Sequence, residues 1–423
     1  MKKLLTLIVT AILAVGCCFG MTACGEKKDE IKVGLITLHD SNSTYDKNFI
    51  DAFNAAAEAQ GVKAVIKTGV DESEDCYTAA GELAEGGCKL IFADSFGHES
   101  YIIKAAKEYT DVEFSHATGT SAKKENLSNF HNAFASIYEG RYLAGVAAGM
   151  KLVAMYNADK TIAKDGVIKV GYVGAYAYAE VKSGYTSWFL GVRNTFNEYI
   201  TDGTKVEMNV TFTNSWYDET KEKNAATSLI DGGCVLISQH ADSWGAPTAC
   251  ETKNVPNVSY NGSTETKCPN TFIVSSRINW QPYFEYIFSC VKNGKKIDTD
   301  WVGGLTDNVH SGSVELSAFG KTATAEGTET KVKDVAKKLK EGTLKVFDTS
   351  KFTVTSYAGG DYAELTEVSI ENGVLKSAKQ NGTEVVKTAN SITYFDESAV
   401  DTNRSAPYFD IDIDGITNLG VQE

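Results

Sequence analysis

One nineteen-residue unit occurs twice in this chain, 146 positions apart, and it limits the possible fold more than any other feature. From Ala79 to Gly97 it reads AAGELAEGGCKLIFADSFG, and from Ala225 to Ser243 it reads AATSLIDGGCVLISQHADS. Ala79, Ala80, Leu83, Gly86, Gly87, Cys88, Leu90 and Ile91 recur as Ala225, Ala226, Leu229, Gly232, Gly233, Cys234, Leu236 and Ile237. Apolar residues at helical spacing, a glycine pair, a short apolar run and a polar loop spell a helix end, a stop, a buried strand and a turn. A chain that carries this unit twice folds as two similar α/β lobes, each aiming a strand-end loop at a shared cleft.

The flanking segments fit. Ile31 to Leu38 is a strand buried on both faces, and a helix from Lys47 to Gln60 follows the polar loop His39 to Asp46. Strand 62–66, the first repeat unit, helix 100–109 and strand 112–115 continue the alternation, which predicts a doubly wound parallel sheet. Ligands of such sheets sit beyond the carboxyl ends of the strands. Helix 137–155 carries Gly140, Gly145 and Gly149, a spacing that predicts close packing against the other lobe. We therefore assign residues 31–155 to lobe one, with about 271–300 returning to it. Lobe two takes residues 166–262 with about 301–345, and residues 346–423 form a β-rich C-terminal appendage attached to the surface. Asn372-Gly373 and Asn381-Gly382 mark hairpin turns in that appendage.

The first 23 residues read as a removable signal. Lys2 and Lys3 precede an apolar run, Leu4 to Val15, that is short for a membrane span. Met21-Thr22-Ala23-Cys24 and the charged tether Glu26 to Glu30 resemble a bacterial lipoprotein signal, with Cys24 as lipidation site. This places the protein on the extracytoplasmic face of the cell membrane, held by its lipid. Removal of the segment takes the net charge from −14 to −16, a balance that disfavours nucleic acid. Of the six remaining cysteines none forms a CxxC pair; Cys250 and Cys268 flank a loop and could be oxidised to a disulfide after export.

No catalytic signature is present: the chain lacks GxSxG, HExxH and a Walker loop, so no enzyme activity and no cofactor is expected. His39, His98 and His240 fall in predicted cleft loops, where polar lining is a simpler reading than a metal cluster. Asp410, Asp412, Asp414 and Gly415 imitate the start of a calcium loop, but its twelfth position is Val421; an edge strand with aspartates facing water is expected. What remains is a set of loops rich in aromatic and hydrogen-bonding side chains: Asp40, Tyr45, Asp46, Phe49, Ser95, Phe96, Gly97, Tyr176, Trp216, Gln239, His240, Asp242, Asn261 and Asn279. These suit a flat, neutral ligand bearing hydroxyls, with rings stacking on its planar part.

HATG at His116 to Gly119, YEGRYLAG at Tyr138 to Gly145, VGYVGAY at Val170 to Tyr176, NSWYD at Asn214 to Asp218 and SQHADS at Ser238 to Ser243 resemble the basic membrane protein family. These are purine-nucleoside-receptor-like substrate-binding lipoproteins of ABC importers, and the resemblance covers about residues 31–346. It implies a type I periplasmic-binding-protein fold, two Rossmann-like lobes on a hinge. It also implies a monomer that binds a purine nucleoside and works with an ABC permease and ATPase in trans. By position Trp216 resembles the lobe-two stacking aromatic, with Phe96, Tyr45 or Phe49 opposite and Asp40, Asp46, Asp242 and Asn261 as polar contacts. The chain departs from the family in its first loop, Tyr45-Asp46-Lys47-Asn48-Phe49, and at Arg277 to Asn279. A receptor of the same fold for a sugar or signalling molecule, a surface-anchored nucleoside hydrolase and an adhesin using the tail are the rival readings.

Overall fold

The computed structural model describes residues 30–305, 312–357, 365–397 and 405–422. Cys24 and the signal segment lie outside them. The body from Lys32 onward begins with β1 (Lys32–Ile36), α1 (Thr44–Gln60), β2 (Lys63–Lys67), α2 (Glu74–Glu85), β3 (Cys88–Ala93), α3 (Glu99–Glu108), β4 (Glu113–Ala117), α4 (Ala122–Glu125) and β5 (Phe130–Ala135). The chain then crosses to α5 (Ile137–Ala158), β6 (Val167–Gly174), α6 (Ala179–Tyr199), β7 (Lys205–Phe212), α7 (Glu219–Asp231), β8 (Cys234–Gln239), α8 (Gly245–Lys253), β9 (Asn257–Tyr260) and β10 (Phe272–Ile278). It returns for α9 (Gln281–Asn293) and β11 (Asp300–Gly303), and crosses once more to β12 (Val314–Leu316).

The two sheets share one strand order and differ at the last edge, where β11 runs parallel to β5 and β12 antiparallel to β10. The first runs β2-β1-β3-β4-β5-β11 and the second β7-β6-β8-β9-β10-β12, with an extra strand outside β7. The duplicated unit is therefore α2–β3 in one lobe and α7–β8 in the other, at matching places. Gly87 and Gly233 take φ of +89° and +96°, the left-handed exit that a side chain resists.

Three expected boundaries move. Residues 271–275 do not return to lobe one: β10 pairs in parallel with β9, Ser276 opposite Tyr260. The return is deferred to α9, because its apolar face is aromatic and finds its partners there. Trp280 stacks on Phe49 at 4.5 Å and Phe284 and Phe288 meet Phe53 edge-on at 5.0 Å. Residues 301–318 split between the lobes, since β11 pairs with β5 and β12 with β10. Helix α5 packs on lobe two, where its glycines let backbones touch: a Cβ on Gly145 would lie 2.1 Å from the Trp188 carbonyl oxygen of α6.

The C-terminal region is built into lobe two, which corrects the expectation of a surface-attached appendage. Helix α10 (Thr328–Lys340) precedes β13 (Val354–Ser356), β14 (Thr366–Glu371), β15 (Val374–Gln380), β16 (Thr383–Glu384), β17 (Val386–Ala389), β18 (Ile392–Phe395), β19 (Asp412–Ile413) and β20 (Ile416–Val421). Asn372-Gly373 and Asn381-Gly382 make the expected hairpin turns, with positive φ at both residues of each. Strand β20 is the extra strand outside β7, parallel to it, with Ile416 opposite Met208. Phe347 stacks on Phe409 at 4.2 Å and on Tyr138 of α5 at 5.5 Å, so tail and helix share one core. Asp412 and Asp414 keep 40% and 47% of their side chains exposed, as expected of an edge facing water, whereas Asp410 is 11% exposed, and all three are paired with lobe two. Lys182 of α6 pairs with Asp410 at 3.4 Å and Asp412 at 2.9 Å, and Arg193 with Asp414 at 2.9 Å. Cys250 and Cys268 are buried free thiols, as are the other four cysteines among the described residues.

Candidate functional site

The strand ends of the two sheets face each other across one slot. Leu38, His39, Tyr45, Asp46, Ser95, Phe96, Thr118 and Phe134 line it from the first lobe. Glu180, Trp216, His240, Asp242 and Tyr260 line it from the second. The slot holds about 430 Å³ of space between atoms, of which only about 30 Å³ admits the centre of a water-sized sphere. It is thin, and its walls are rings and carboxylates.

Helix α1 starts at Thr44, three residues before the sequence expectation, because Ser43 and Asp46 cap it reciprocally. The Ser43 hydroxyl accepts from the Asp46 N–H at 3.2 Å and donates to the Asp46 carboxylate at 2.5 Å. Asp46 also accepts from the His39 N–H at 2.8 Å. Burial works to raise Asp46, but the hydrogen bonds from His39 and Ser43 outweigh it and hold the carboxyl below its ordinary range. The cap thus carries Tyr45 and Asp46 into the wall on a rigid first turn. The Tyr45 hydroxyl donates to the Asp94 carbonyl at 2.8 Å, which fixes its ring.

The second lobe contributes a buried relay. Arg141 of α5 donates to the Gln239 carbonyl at 2.9 Å and to His240 Nδ1 at 3.0 Å, and its guanidinium lies 3.2 Å from the centroid of the Tyr260 ring. A guanidinium only donates, so Nδ1 of His240 is an acceptor and the ring proton sits on Nε2. That nitrogen is 2.9 Å from the Glu180 carboxylate. Burial pushes the His240 pKa down, against the pull of Glu180 and with the push of Arg141, so the ring is neutral at pH 7. Asp242 is the opposite case: burial, then the carboxylates Asp46, Glu222 and Glu180, push it well above the usual range. Asn261, left-handed at φ +61°, donates to Asp242 at 3.3 Å from behind. Thr118 sits at φ +64°, a strained value for a β-branched residue, and the loop there is squeezed. A Cβ on the neighbouring Gly119 would fall 1.9 Å from the Asn132 amide nitrogen.

Above the slot an aromatic ladder joins the lobes. Phe96 of lobe one stacks on Tyr178 at 5.1 Å, Tyr178 on Tyr176 at 5.2 Å, and Tyr176 meets Trp216 edge-on at 5.0 Å. Thr44 donates to the Asp242 carbonyl at 3.0 Å through both its N–H and its hydroxyl, a further bond across the cleft.

Of the residues singled out from the sequence, Tyr45, Asp46, Ser95, Phe96, Trp216, His240 and Asp242 line the slot. Tyr176 and Asn261 support the wall from behind. Phe49 does not reach it: it is fully buried under Trp280. Asp40 is exposed and caps the Asn42 N–H at 2.9 Å. Gly97 donates to Glu72 at 2.7 Å, the Gln239 side chain accepts from Asn257 at 3.1 Å, and Asn279 accepts from Gln281 at 3.2 Å in the hinge. His98 turns into the core and bonds the Val70 carbonyl, so the three loop histidines do not meet. Leu38, Thr118, Phe134, Glu180 and Tyr260 were absent from the candidate set. Thr118 stood in the quoted HATG motif and Glu180 lies just beyond VGYVGAY, and their strand-end positions were the available signal.

Three carboxylates line the slot, and no lysine or arginine does. The wall accepts hydrogen bonds and stacks rings; it offers nothing to a phosphate. Among the described residues no group of three or more potential metal ligands gathers, and no helix is long and apolar enough to cross a membrane.

The model of the PnrA-like ABC transporter substrate-binding proteins, Bmp, matches residues 36–351. A purine-binding protein of Brucella abortus is 28% identical over 342 residues, 79% of this chain and 88% of that relative. A protein of Haloferax volcanii assigned as an ABC transporter glucose-binding protein is 29% identical over 238 residues, 56% of this chain and 50% of its own length. Among solved structures, an ABC transporter solute-binding protein of Aeropyrum pernix is similar, with a TM-score of 0.62 at 18% identity over 75% of this chain and 93% of that one. Another from Conexibacter woesei gives 0.56 at 20% identity over 74% and 98%. These two carry the fold, the two-lobed architecture of periplasmic binding proteins. The family match spans both lobes and every residue that lines the slot, and the chain belongs to the PnrA-like family of ABC transporter substrate-binding proteins.

Proposed function

We propose that this protein binds a purine nucleoside in the interlobe slot and delivers it to a membrane permease, anchored by a lipid on Cys24. The observation that carries the ligand class is the wall itself: Trp216, Tyr260, Phe96 and Tyr45 around a thin space, with Asp46, Glu180 and Asp242 as acceptors. A planar base fills a thin space between rings, and ribose hydroxyls and base N–H groups donate to carboxylates. The purine-binding relative points the same way. The assigned glucose-binding relative favours a second reading, a sugar stacked on the same rings. Contacts from both walls would favour the closed arrangement, the form that a permease distinguishes from the open one.

Isothermal titration with inosine, guanosine, adenosine and glucose separates the readings. Micromolar or tighter binding of a purine nucleoside is expected, and Trp216→Ala should weaken it by about 1–3 kcal/mol, roughly five- to 150-fold. Glucose binding without nucleoside binding would give the slot to the sugar. Release of the protein into the medium by Cys24→Ser is the expected sign of the anchor, and an unchanged membrane fraction would refute it.

A further inference from the structure

A second cavity lies at the hinge, away from the slot, with room of about 240 Å³ for water-sized sphere centres. Its floor is two of the three crossovers, where the Ser136 N–H donates to the Gly303 carbonyl at 2.7 Å. Its walls are the first turn of α5, the end of α10 and the strand β18 of the C-terminal region. Glu139, Lys340, Lys345 and Asp396 all face it.

These charges stand in one wall without closing on each other. Among the described residues Glu139 has no cation within 4 Å, and its carboxylate accepts a long 3.4 Å bond from the Leu305 N–H. Lys340 and Lys345 likewise have no carboxylate within 4 Å among the described residues; the Lys345 ammonium sits 4.5 Å over the Tyr394 ring. Asp396 is held by Lys387 at 3.1 Å. Burial pushes the Glu139 carboxyl up to about 7, and Lys345 and Lys340 pull it back without reaching it. Opposite charges free to meet would offset their desolvation by pairing. Here they line one cavity unpaired with each other, beside Tyr394 and Phe395.

We propose that this hinge cavity is a second ligand site and that it takes a small zwitterion of the α-amino-acid type, with its ammonium on Glu139, its carboxylate on Lys340 and Lys345, and its side chain against Tyr394 and Phe395. The part of this wall from β18, Tyr394, Phe395 and Asp396, lies beyond the residues that the family model matches. A molecule seated there touches two crossovers and the tail of lobe two together. It therefore biases the opening equilibrium and couples to whatever the slot binds, reciprocally.

The test is titration calorimetry and thermal shift on the full mature chain with the twenty proteinogenic α-amino acids. Each responder is repeated as its N-acetyl and its amide form, which lack one charge each. At least one amino acid should bind and raise Tm, and both blocked forms should lose at least tenfold in affinity. Glu139→Gln and, as an independent charge removal, Lys345→Met should each lose at least tenfold, with an unchanged urea midpoint in the absence of amino acid for Lys345→Met. Inosine titrated into the same variants reads the slot separately, so a chain that responds to one class and not the other tells the two proposals apart. Silence toward all twenty at millimolar concentration, or blocked forms that bind equally well, overturns the proposal.

Discussion

Replacing Arg141 by methionine should show what holds the second wall of the slot. The side chain is 1% exposed and makes two hydrogen bonds, to the Gln239 carbonyl and His240 Nδ1, besides its stack on Tyr260. Methionine keeps the volume and removes the charge, leaving the Glu180 carboxylate next to a neutral imidazole. Removing one partner of a buried charge network costs about 3–5 kcal/mol, and we expect about 4 kcal/mol at pH 8. At pH 5.5 the loss should be smaller. Without the guanidinium one push that lowers His240 is gone while burial, the larger one, stays, so its folded pKa moves up from its depressed position. A depressed histidine loses stability as pH falls below its unfolded value, so the wild type gives up more than the variant on acidification and the gap between them narrows. Urea unfolding at both pH values gives the difference directly. Glu180→Gln in the Arg141→Met background should recover about half of the loss, because it removes a buried charge that the guanidinium no longer offsets. Losses equal at the two pH values, and strictly additive in the double variant, would refute the relay.

Three further outcomes follow from geometry described above. Glu222 is fully buried and pushed up to about 7 by burial, against 4.5 in an open chain; stability from this group is full below pH 4.5 and falls by about 3 kcal/mol as pH rises to 7. Urea midpoints between pH 4.5 and 7.5 should therefore fall less in Glu222→Gln than in the wild type, and parallel curves would contradict the assignment. Gly145→Ala drives a Cβ to 2.1 Å from the Trp188 carbonyl and should cost at least about 3 kcal/mol in urea unfolding, since only separation of α5 from α6 relieves the clash; a loss under 1 kcal/mol would show that the helices slide freely. Arg193→Met removes the bonds to Asp414 and the Lys351 carbonyl, and amide exchange in β13 and β20 should speed up at least tenfold while slot binding stays within twofold; unchanged exchange would mean that the aromatic core alone docks the tail.

The doubled unit made the two sheets legible, because glycine exits and apolar runs are local signals. Hairpins at Asn372-Gly373 and Asn381-Gly382 were legible for the same reason. What stayed hidden depended on distant partners. Phe49 looks like a ligand aromatic from its place near a strand-end loop, yet helical phase sends it inward to Trp280, 231 residues away in sequence. The assignment of 271–275 failed because a strand carries no mark of which sheet it joins, whereas the aromatic face of α9 does. The pairing of Asp410, Asp412 and Asp414 stayed hidden because its partners, Lys182 and Arg193, lie on a helix more than 200 residues upstream. Tyr260 and Phe134 came into the wall only through sheet register, which no single segment encodes.

Strand β20 closes the edge of the second sheet from a position about 200 residues downstream of its neighbour β7. Until that segment arrives, β7 presents a bare row of backbone donors and acceptors, the template on which chains pair wrongly. Lobe one is complete once β11 joins β5, while lobe two waits on the longest loop closure in the molecule's sheets. During synthesis the second lobe is thus the slow and aggregation-exposed half, and the step that ends its exposure is the docking of six residues.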